Sequence, residues 1–267
     1  MIFASLASGS SGNCTLLSTG KENILIDCGI SAKRIGESLK DFRLTLNDID
    51  AVLLTHEHID HVKGLKRLMS VYGIPVYASY GTFNNLSSVT KDEYFTYSGP
   101  VLFHPVRADV DFYIGNTLVQ PFRTYHDTPG PLGYRFEMEA PIFEHDASCC
   151  VLTDCGHYDS YICSHLKNLN AILVESNHDV DMLMNGPYPM FLKRRIYSDC
   201  GHSSNASCAS LIKNIYSPKL HSVILAHLSE ENNDPDLARS FVEKEVAIPD
   251  LKISVAPKCE TSEVIIL

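Results

Sequence analysis

Apolar residues along this chain gather in short runs, and nearly every run empties into polar or turn-forming residues. Residues 2–7, 14–18 and 23–27 read as strands. Ser8-Gly9-Ser10-Ser11-Gly12-Asn13 and Thr19-Gly20-Lys21 read as the turns between them. Ser31 can cap a helix running to about residue 40, and a buried strand follows at 51–54, a helix at about 62–72 and a short strand at 75–78. Residues 79–146 are rich in aromatics, turns and short alternating segments. Within them 117–122 and 133–138 form strands flanking the loop 123–131. Beyond lie strands at 149–154, 171–175, 222–226, 251–255 and 263–266. Helices fall near 159–169 and 187–197, from about 205 to 216, and after Asp234-Pro235, where proline takes the first helical position. Strands alternating with helices predict an α/β protein, whose ligands gather at the carboxyl ends of strands.

One pattern repeats. Val151-Leu152-Thr153-Asp154-Cys155-Gly156 echoes Leu25-Ile26-Asp27-Cys28-Gly29, and 171–179 parallels 51–60. The repetition predicts a single domain, 1–267, of two similar halves (about 1–146 and 147–267), whose sheets face each other across a shared edge.

The densest chemistry sits in Leu53-Leu54-Thr55-His56-Glu57-His58-Ile59-Asp60-His61. In extended backbone alternate residues share a face, so His56 and His58 point one way, and Asp60 and His61 can address a second point. Burying four such side chains unpaired would cost roughly 1–3 kcal/mol each, a cost that metal coordination removes. Imidazole and carboxylate suit Zn, Mn, Fe or Ni better than Ca or Mg alone. A first metal holding only His56 and His58 needs a third protein ligand, and His126, where the strand at 117–122 gives out, can supply it.

Composition narrows the partners. A formal net charge of −10 argues against a protein that coats nucleic acid with broad basic surfaces, although a local basic groove stays open. Lys193-Arg194-Arg195 is the one tight basic run, and the Ser8–Asn13 turn could offer N–H groups and hydroxyls to an anion. Nine scattered cysteines with no C-x-x-C pattern suit reduced thiols. With no secretory signal and no run long enough to span a membrane, the expected location is cytoplasmic.

Taken in order, Asp27, His56-x-His58-x-Asp60-His61, His126, Asp154 and His227 resemble the signature of the metallo-β-lactamase superfamily. That resemblance implies a four-layer αββα sandwich with two facing mixed β-sheets and two divalent metal ions (Zn, Mn or Fe). It assigns His56, His58 and His126 to one metal, Asp60, His61 and His227 to the other, Asp154 as the bridge, and Asp27 behind the ligands as their support. A narrower likeness runs through Ser8-Gly9-Ser10-Ser11-Gly12-Asn13, Glu175-Ser176-Asn177-His178-Asp179-Val180-Asp181-Met182-Leu183, Gly186-Pro187-Tyr188-Pro189, Leu192-Lys193-Arg194-Arg195, Gly201-His202-Ser203-Ser204-Asn205 and His227-Leu228-Ser229-Glu230-Glu231-Asn232-Asn233. These stretches are similar to the bacterial YycJ/WalJ family, which is associated with DNA exonuclease activity; Ser203 stands where that family's pattern has leucine. Glu175 and His202 resemble the proton-donating pair of ribonuclease Z-type phosphodiesterases.

The expected enzyme is thus a dinuclear metal-dependent hydrolase that cleaves phosphodiesters of DNA in an exonuclease-like manner. Metals about 3.5–4 Å apart would bring the pKa of a bridging water toward ~7. Asp60, Glu175 and His202 would be the catalytic residues, with Ser10, Asn13, Arg194 and Arg195 contacting flanking phosphates. A small-ester, thioester or lactam hydrolase of the same fold is the rival. A di-iron redox protein fits poorly because His58 is intact, and an idle scaffold fits poorly because the ligand set is complete. No membrane partner is expected, and homo-oligomerisation stays open.

Overall fold

The computed structural model describes residues 1–92, 94–97, 102–138 and 147–267. The expected division of the chain at about 146 lies outside these residues. Two seven-stranded sheets form the centre. The first contains β1 (Ile2–Ala7), β2 (Cys14–Ser18), β3 (Asn23–Ile26), β4 (Ala51–Leu53), β5 (Val76–Ala78) and β6 (Phe103–Pro105). The second contains β7 (Phe112–Ile114), β8 (Thr117–Arg123), β9 (Leu132–Met138), β10 (Ala147–Leu152), β11 (Ala171–Glu175), β12 (Ser222–Ala226) and β13 (Lys252–Val255). A last strand, β14 (Ile265–Ile266), returns to pair with β1.

Both sheets begin antiparallel and turn parallel. β1, β2 and β3 are antiparallel, and β3 to β6 run parallel. In the same way β7 to β10 are antiparallel, and β10 to β13 run parallel. The switch between sheets falls between Pro105 and Phe112. Residues 112–138, counted with the first half on sequence, therefore pair into the second sheet, where the β8–β9 hairpin stands beside β10 as β1–β2 stands beside β3.

The strands read as unbroken apolar runs because both their faces are buried. Ile24, Ile26 and Leu53 point inward with Phe3 and Leu17, meeting Val119, Phe136, Val151, Leu173 and Ile224 of the opposite sheet. Their neighbours Leu25 and Val52 point outward, against α1 (Ala32–Leu39), α3 (Leu65–Tyr72) and α4 (Tyr80–Thr90). Cys150, Leu152, Val174 and Leu225 do the same against α6 (Ser160–His165), α9 (Asn205–Ile215) and α10 (Pro235–Val246). The result is the expected four-layer αββα sandwich. Among the described residues single turns α2 (Ile59–Val62) and α5 (Tyr94–Tyr97), with α7 (Val180–Asn185) and α8 (Met190–Ile196), complete the α-helices.

Three local expectations change. The helix expected at 62–72 is two pieces, because Gly64 donates to the Cys28 carbonyl at 2.8 Å and a Cβ there would lie 2.4 Å from the Ile30 carbonyl oxygen. Helix α4 was hidden by glycine, asparagine, serine and threonine, which have weak helix propensity; its Ser79 cap and buried Thr82 and Leu86 hold it. The closing strand spans only two residues.

Glu22 ties the two sheets together at their edge. Its carboxylate accepts from Thr19 Oγ1 at 2.5 Å within the β2–β3 turn and from the Asn116 N–H at 2.9 Å in the β7–β8 turn. Burial opposes its charge, but these donors outweigh burial and depress its pKa. Such a group adds stability above the ordinary carboxyl pKa of about 4.3 and loses it as pH falls through the lower folded value. Glu22→Gln should lower the urea midpoint at pH 7, and the gap to the parent should shrink near pH 3. An equal gap at both pH values would contradict this.

Candidate metal centre

Three of the sequence-predicted residues sit just past strand ends in left-handed backbone. Asp27 follows β3 with φ 60°, Asp154 follows β10 with φ 53°, and His227 follows β12 with φ 55°. Such conformations cost about 1–3 kcal/mol each and persist where surrounding contacts over-determine them. Here the surrounding contacts are dense. The Asp27 N–H donates to the Leu53 carbonyl at 2.8 Å, and Asp27 Oδ1 and Oδ2 accept from Thr55 N at 2.8 Å and Thr55 Oγ1 at 2.9 Å. Gly29 is pressed so closely on the Asp60 carbonyl that a Cβ would lie 1.5 Å from its oxygen. The His227 N–H is held by Ser8 Oγ at 2.7 Å.

Strand alternation does not place the histidines. β4 stops at Leu53, so His56 and His58 lie in the following loop, and His58 is the residue before α2. Loop backbone nevertheless brings both to His126. Donor atoms of His56, His58 and His126 all lie within 4.8 Å of one another, as do those of Asp60, His61 and His227, and those of His56, His61 and Asp154. Asp154 sits between the first two groups, 3.3 Å from His61 Nε2, 3.8 Å from His126 Nε2 and 3.6 Å from His227 Nε2.

In four of the five rings the nitrogen turned away from the centre has a partner. His56 Nδ1 lies 3.0 Å from Thr55 Oγ1, and His126 Nδ1 lies 3.3 Å from the Gly201 carbonyl. His61 Nδ1 meets Asp27 at 2.8 Å, and His227 Nδ1 meets Glu175 at 3.0 Å. Asp27 and Glu175 thus play matching parts in the two halves, each orienting a histidine from behind, which fixes the ring and raises its basicity.

Charge separates the two groups. Burial, then the neighbouring imidazoles, holds His56 well below the ordinary imidazole range, and His58 and His126 are lowered as well. These three are neutral rings, the form that ligates a metal. Burial also opposes charge on His61 and His227, but the carboxylates around them win and raise both well above that range. That side of the site draws positive charge. Among the described residues His56 Nε2 is buried without a hydrogen-bond partner, as is Asp154 Oδ2. Orphaned donor atoms on neutral imidazoles beside clustered carboxylates fit divalent metal ions.

The centre opens into a cavity of about 280 Å³ lined by His58, Asp60, His126, Asp154, His202 and His227. His202 Nδ1 lies 2.7 Å from Glu175 Oε1, the oxygen that also meets His227. Burial works against a charged His202, but the Glu175 carboxylate raises its pKa above the ordinary value. Ser10 and Arg195 line the same cavity, as does Asp127, which pairs with Arg195 at 2.6 Å.

Two residues expected to contact phosphates, Asn13 and Arg194, do not line this cavity. The Asn13 amide is spent inside the fold, on the Gly9 carbonyl, the Asp60 carbonyl and carboxylate, and His61. Arg194 is exposed. Sequence reasoning passed over Thr55 and Asp127, and read Ser8 only as part of a turn that could offer groups to an anion. Thr55 and Asp127 each stand next to a proposed ligand histidine, the one signal that could have marked them.

A sheet pair with this histidine–carboxylate centre on its edge defines a class, and the chain belongs to the metallo-beta-lactamase superfamily, whose profile matches residues 7–141. Among curated proteins it is 36% identical over 244 residues to exodeoxyribonuclease YycJ of Bacillus anthracis, covering 90% of this chain and 87% of that one. It is 34% identical over 253 residues to exodeoxyribonuclease WalJ of Streptococcus pneumoniae, covering 95% and 91%. Within the superfamily the chain is therefore a member of the YycJ/WalJ family. Zn(2+)-bound PqqB from Methylobacterium extorquens shares the fold over the full length of both chains, with a TM-score of 0.72 at 17% identity.

Proposed function

We propose that the chain is a dinuclear metal-dependent phosphodiesterase that degrades DNA from its ends. His56, His58 and His126 would hold one ion, Asp60, His61 and His227 the other, with Asp154 between them and Asp27 and Glu175 behind. When bound, divalent ions of this kind (Zn, Mn or Fe) supply an activated water and neutralise charge on phosphate oxygens. Supporting the reading are the converging donor groups and the names of two relatives that match nearly the whole chain.

The observation that carries the substrate class is the His202–Glu175 pair beside the centre. With Nδ1 engaged by Glu175, His202 has Nε2 left to give a proton to the departing oxygen, and its raised pKa keeps that proton at neutral pH. Asp60 turns Oδ2 to His61 and His227 and lines the cavity, so Oδ1 can orient the attacking water. Ser10 and Arg195 are placed to steady phosphate oxygens; Arg195 would leave Asp127 for a doubly hydrogen-bonded phosphate contact. All nine thiols are free, in keeping with a reducing, cytoplasmic setting. Among the described residues no helix is long and apolar enough to cross a membrane.

Elemental analysis after reconstitution with Zn, Mn or Fe should find two ions per chain. Turnover of bis(p-nitrophenyl) phosphate and of single-stranded DNA should then exceed turnover of a lactone. Lactone cleavage without phosphodiester cleavage would transfer the chain to the small-ester hydrolases.

A further inference from the structure

One carboxylate in the cavity wall has no part in the two metal groups. Asp60, Asp127 and Asp154 all line the cavity, and Asp60 and Asp154 converge on the histidines of the centre. Asp127 does something else. Its Oδ2 accepts from Arg195 Nε at 2.6 Å, and its Oδ1 stands 3.6 Å from His126 Nε2. Because His126 Nδ1 faces the Gly201 carbonyl, Nε2 is the nitrogen turned toward the centre. Asp127 therefore reaches from the edge of the metal centre to Arg195. Among the described residues lining the cavity, Arg195 is the one arginine or lysine.

The pair is not needed to hold the wall together. Gly201 is pressed on α8 so closely that a Cβ would lie 2.2 Å from the Ile196 carbonyl oxygen. The His202 N–H donates to that same carbonyl at 2.8 Å. With His126 on the Gly201 carbonyl, these contacts already join α8, His202 and the His126 loop. The Arg195 side chain is 58% exposed, and ion pairs so open to water separate easily. Among the described residues only Nε of its guanidinium has a hydrogen-bond partner, so Nη1 and Nη2 keep their donors for another anion.

A phosphodiester presents two non-bridging oxygens from one atom, one for a metal centre and one for a cation. Asp127 presents two carboxylate oxygens to the same two places. We propose that Asp127 is an internal competitor of the substrate, holding Arg195 until a phosphodiester displaces it. The proposal rests on the phosphodiesterase reading above and adds what sets affinity and selectivity at that site. Binding exchanges one charged contact for another, so a phosphodiester is held less tightly than a bare Arg195 would hold it. When the cleaved product leaves, the carboxylate reclaims the guanidinium and helps to expel the anion. A neutral ester lacks the charge to displace Asp127, so the pair screens ligands by charge.

The test uses the metal-loaded protein, with bis(p-nitrophenyl) phosphate as substrate and dimethyl phosphate, a small unreactive diester, as the ligand in calorimetry. Asp127→Asn keeps the size of the side chain and removes its charge. It should lower KM and the dimethyl phosphate Kd by about fivefold, the upper scale of an exposed ion pair, with kcat and metal content held. Arg195→Ala should raise both constants. Adding Asp127→Asn to Arg195→Ala should recover little, since there is no guanidinium left to compete for; this coupling separates competition from general repulsion by a nearby charge. An unaltered or raised KM in Asp127→Asn overturns the competitor while leaving the phosphodiesterase reading intact. So does a fall in kcat at constant KM, the mark of a brace for His126 or His202, or a loss of metal, the mark of a ligand. Equal gains with and without Arg195 also overturn it. A parent that cleaves a lactone but no phosphodiester overturns the competitor and the phosphodiesterase reading together.

Discussion

The His58→Ala/His61→Ala double variant is expected to lose its metal ions and, with them, phosphodiester cleavage by about 10³-fold or more. His58 belongs to the cluster with His56 and His126, and His61 to the cluster with Asp60 and His227, so one variant opens both groups. Metal ions stabilise developing transition-state charge by several kcal/mol, and each 1.36 kcal/mol is tenfold in rate. A second consequence separates the two positions. His61 is the partner of the buried Asp27 carboxylate at 2.8 Å, and removing one side of a buried pair costs about 3–5 kcal/mol. The His61 change should therefore also lower the thermal midpoint, whereas His58→Ala alone should barely move it. Elemental analysis, thermal unfolding and turnover on single-stranded DNA check the three parts together. A double variant that keeps two ions and the parental rate would refute the ligand assignment.

His202→Ala comes next in size. Loss of a positioned general acid lowers kcat by about 10²–10⁴-fold. Metal content should be retained, because His202 is proposed to donate a proton rather than to ligate. The pH profile distinguishes this from structural damage. His202 has a raised pKa, so its proton is present at neutral pH and is lost as pH rises through that value. The parent should show an alkaline fall in kcat, and His202→Ala should lack it. Glu175→Gln should behave differently from His202→Ala. Its carboxylate contacts both His202 and His227, so weaker metal binding, by about 10–100-fold, should accompany the lost turnover. If the two variants matched in metal content and pH profile, Glu175 would have no part beyond His202.

How much of this was legible differs by residue. His56, His58, Asp60 and His61 could be read directly, since four ligand-type side chains packed into six positions after a buried strand have little use except to hold metal. Their placement was legible but the reason was not. Strand alternation was expected to aim His56 and His58, whereas β4 ends three residues before His56 and the loop that carries them is pinned at Thr55 by Asp27 and at Asp60 by Asn13 and Gly29. Helix α4 escaped because its residues favour turns, and tertiary packing of Leu86 and Thr82 overrode that preference. The basic run was legible as a cluster but not in its parts. Of three adjacent cations, one is buried against α7, one is exposed with no ion-pair partner among the described residues and one is paired at the cavity, which helical geometry imposes and charge counting cannot resolve.

By itself the sequence determined most of the element types, the two-sheet α/β architecture and the order of residues that converge on the centre. Those depend on local periodicity and on which side chains end each run. Only the tertiary structure decided that residues 112–138 pair into the second sheet, that Asn13 is consumed as a clamp, and that one Glu175 oxygen serves His202 and His227 together. Each of these turns on strand pairing or side-chain distance between segments far apart in the chain, and no local pattern carries that information.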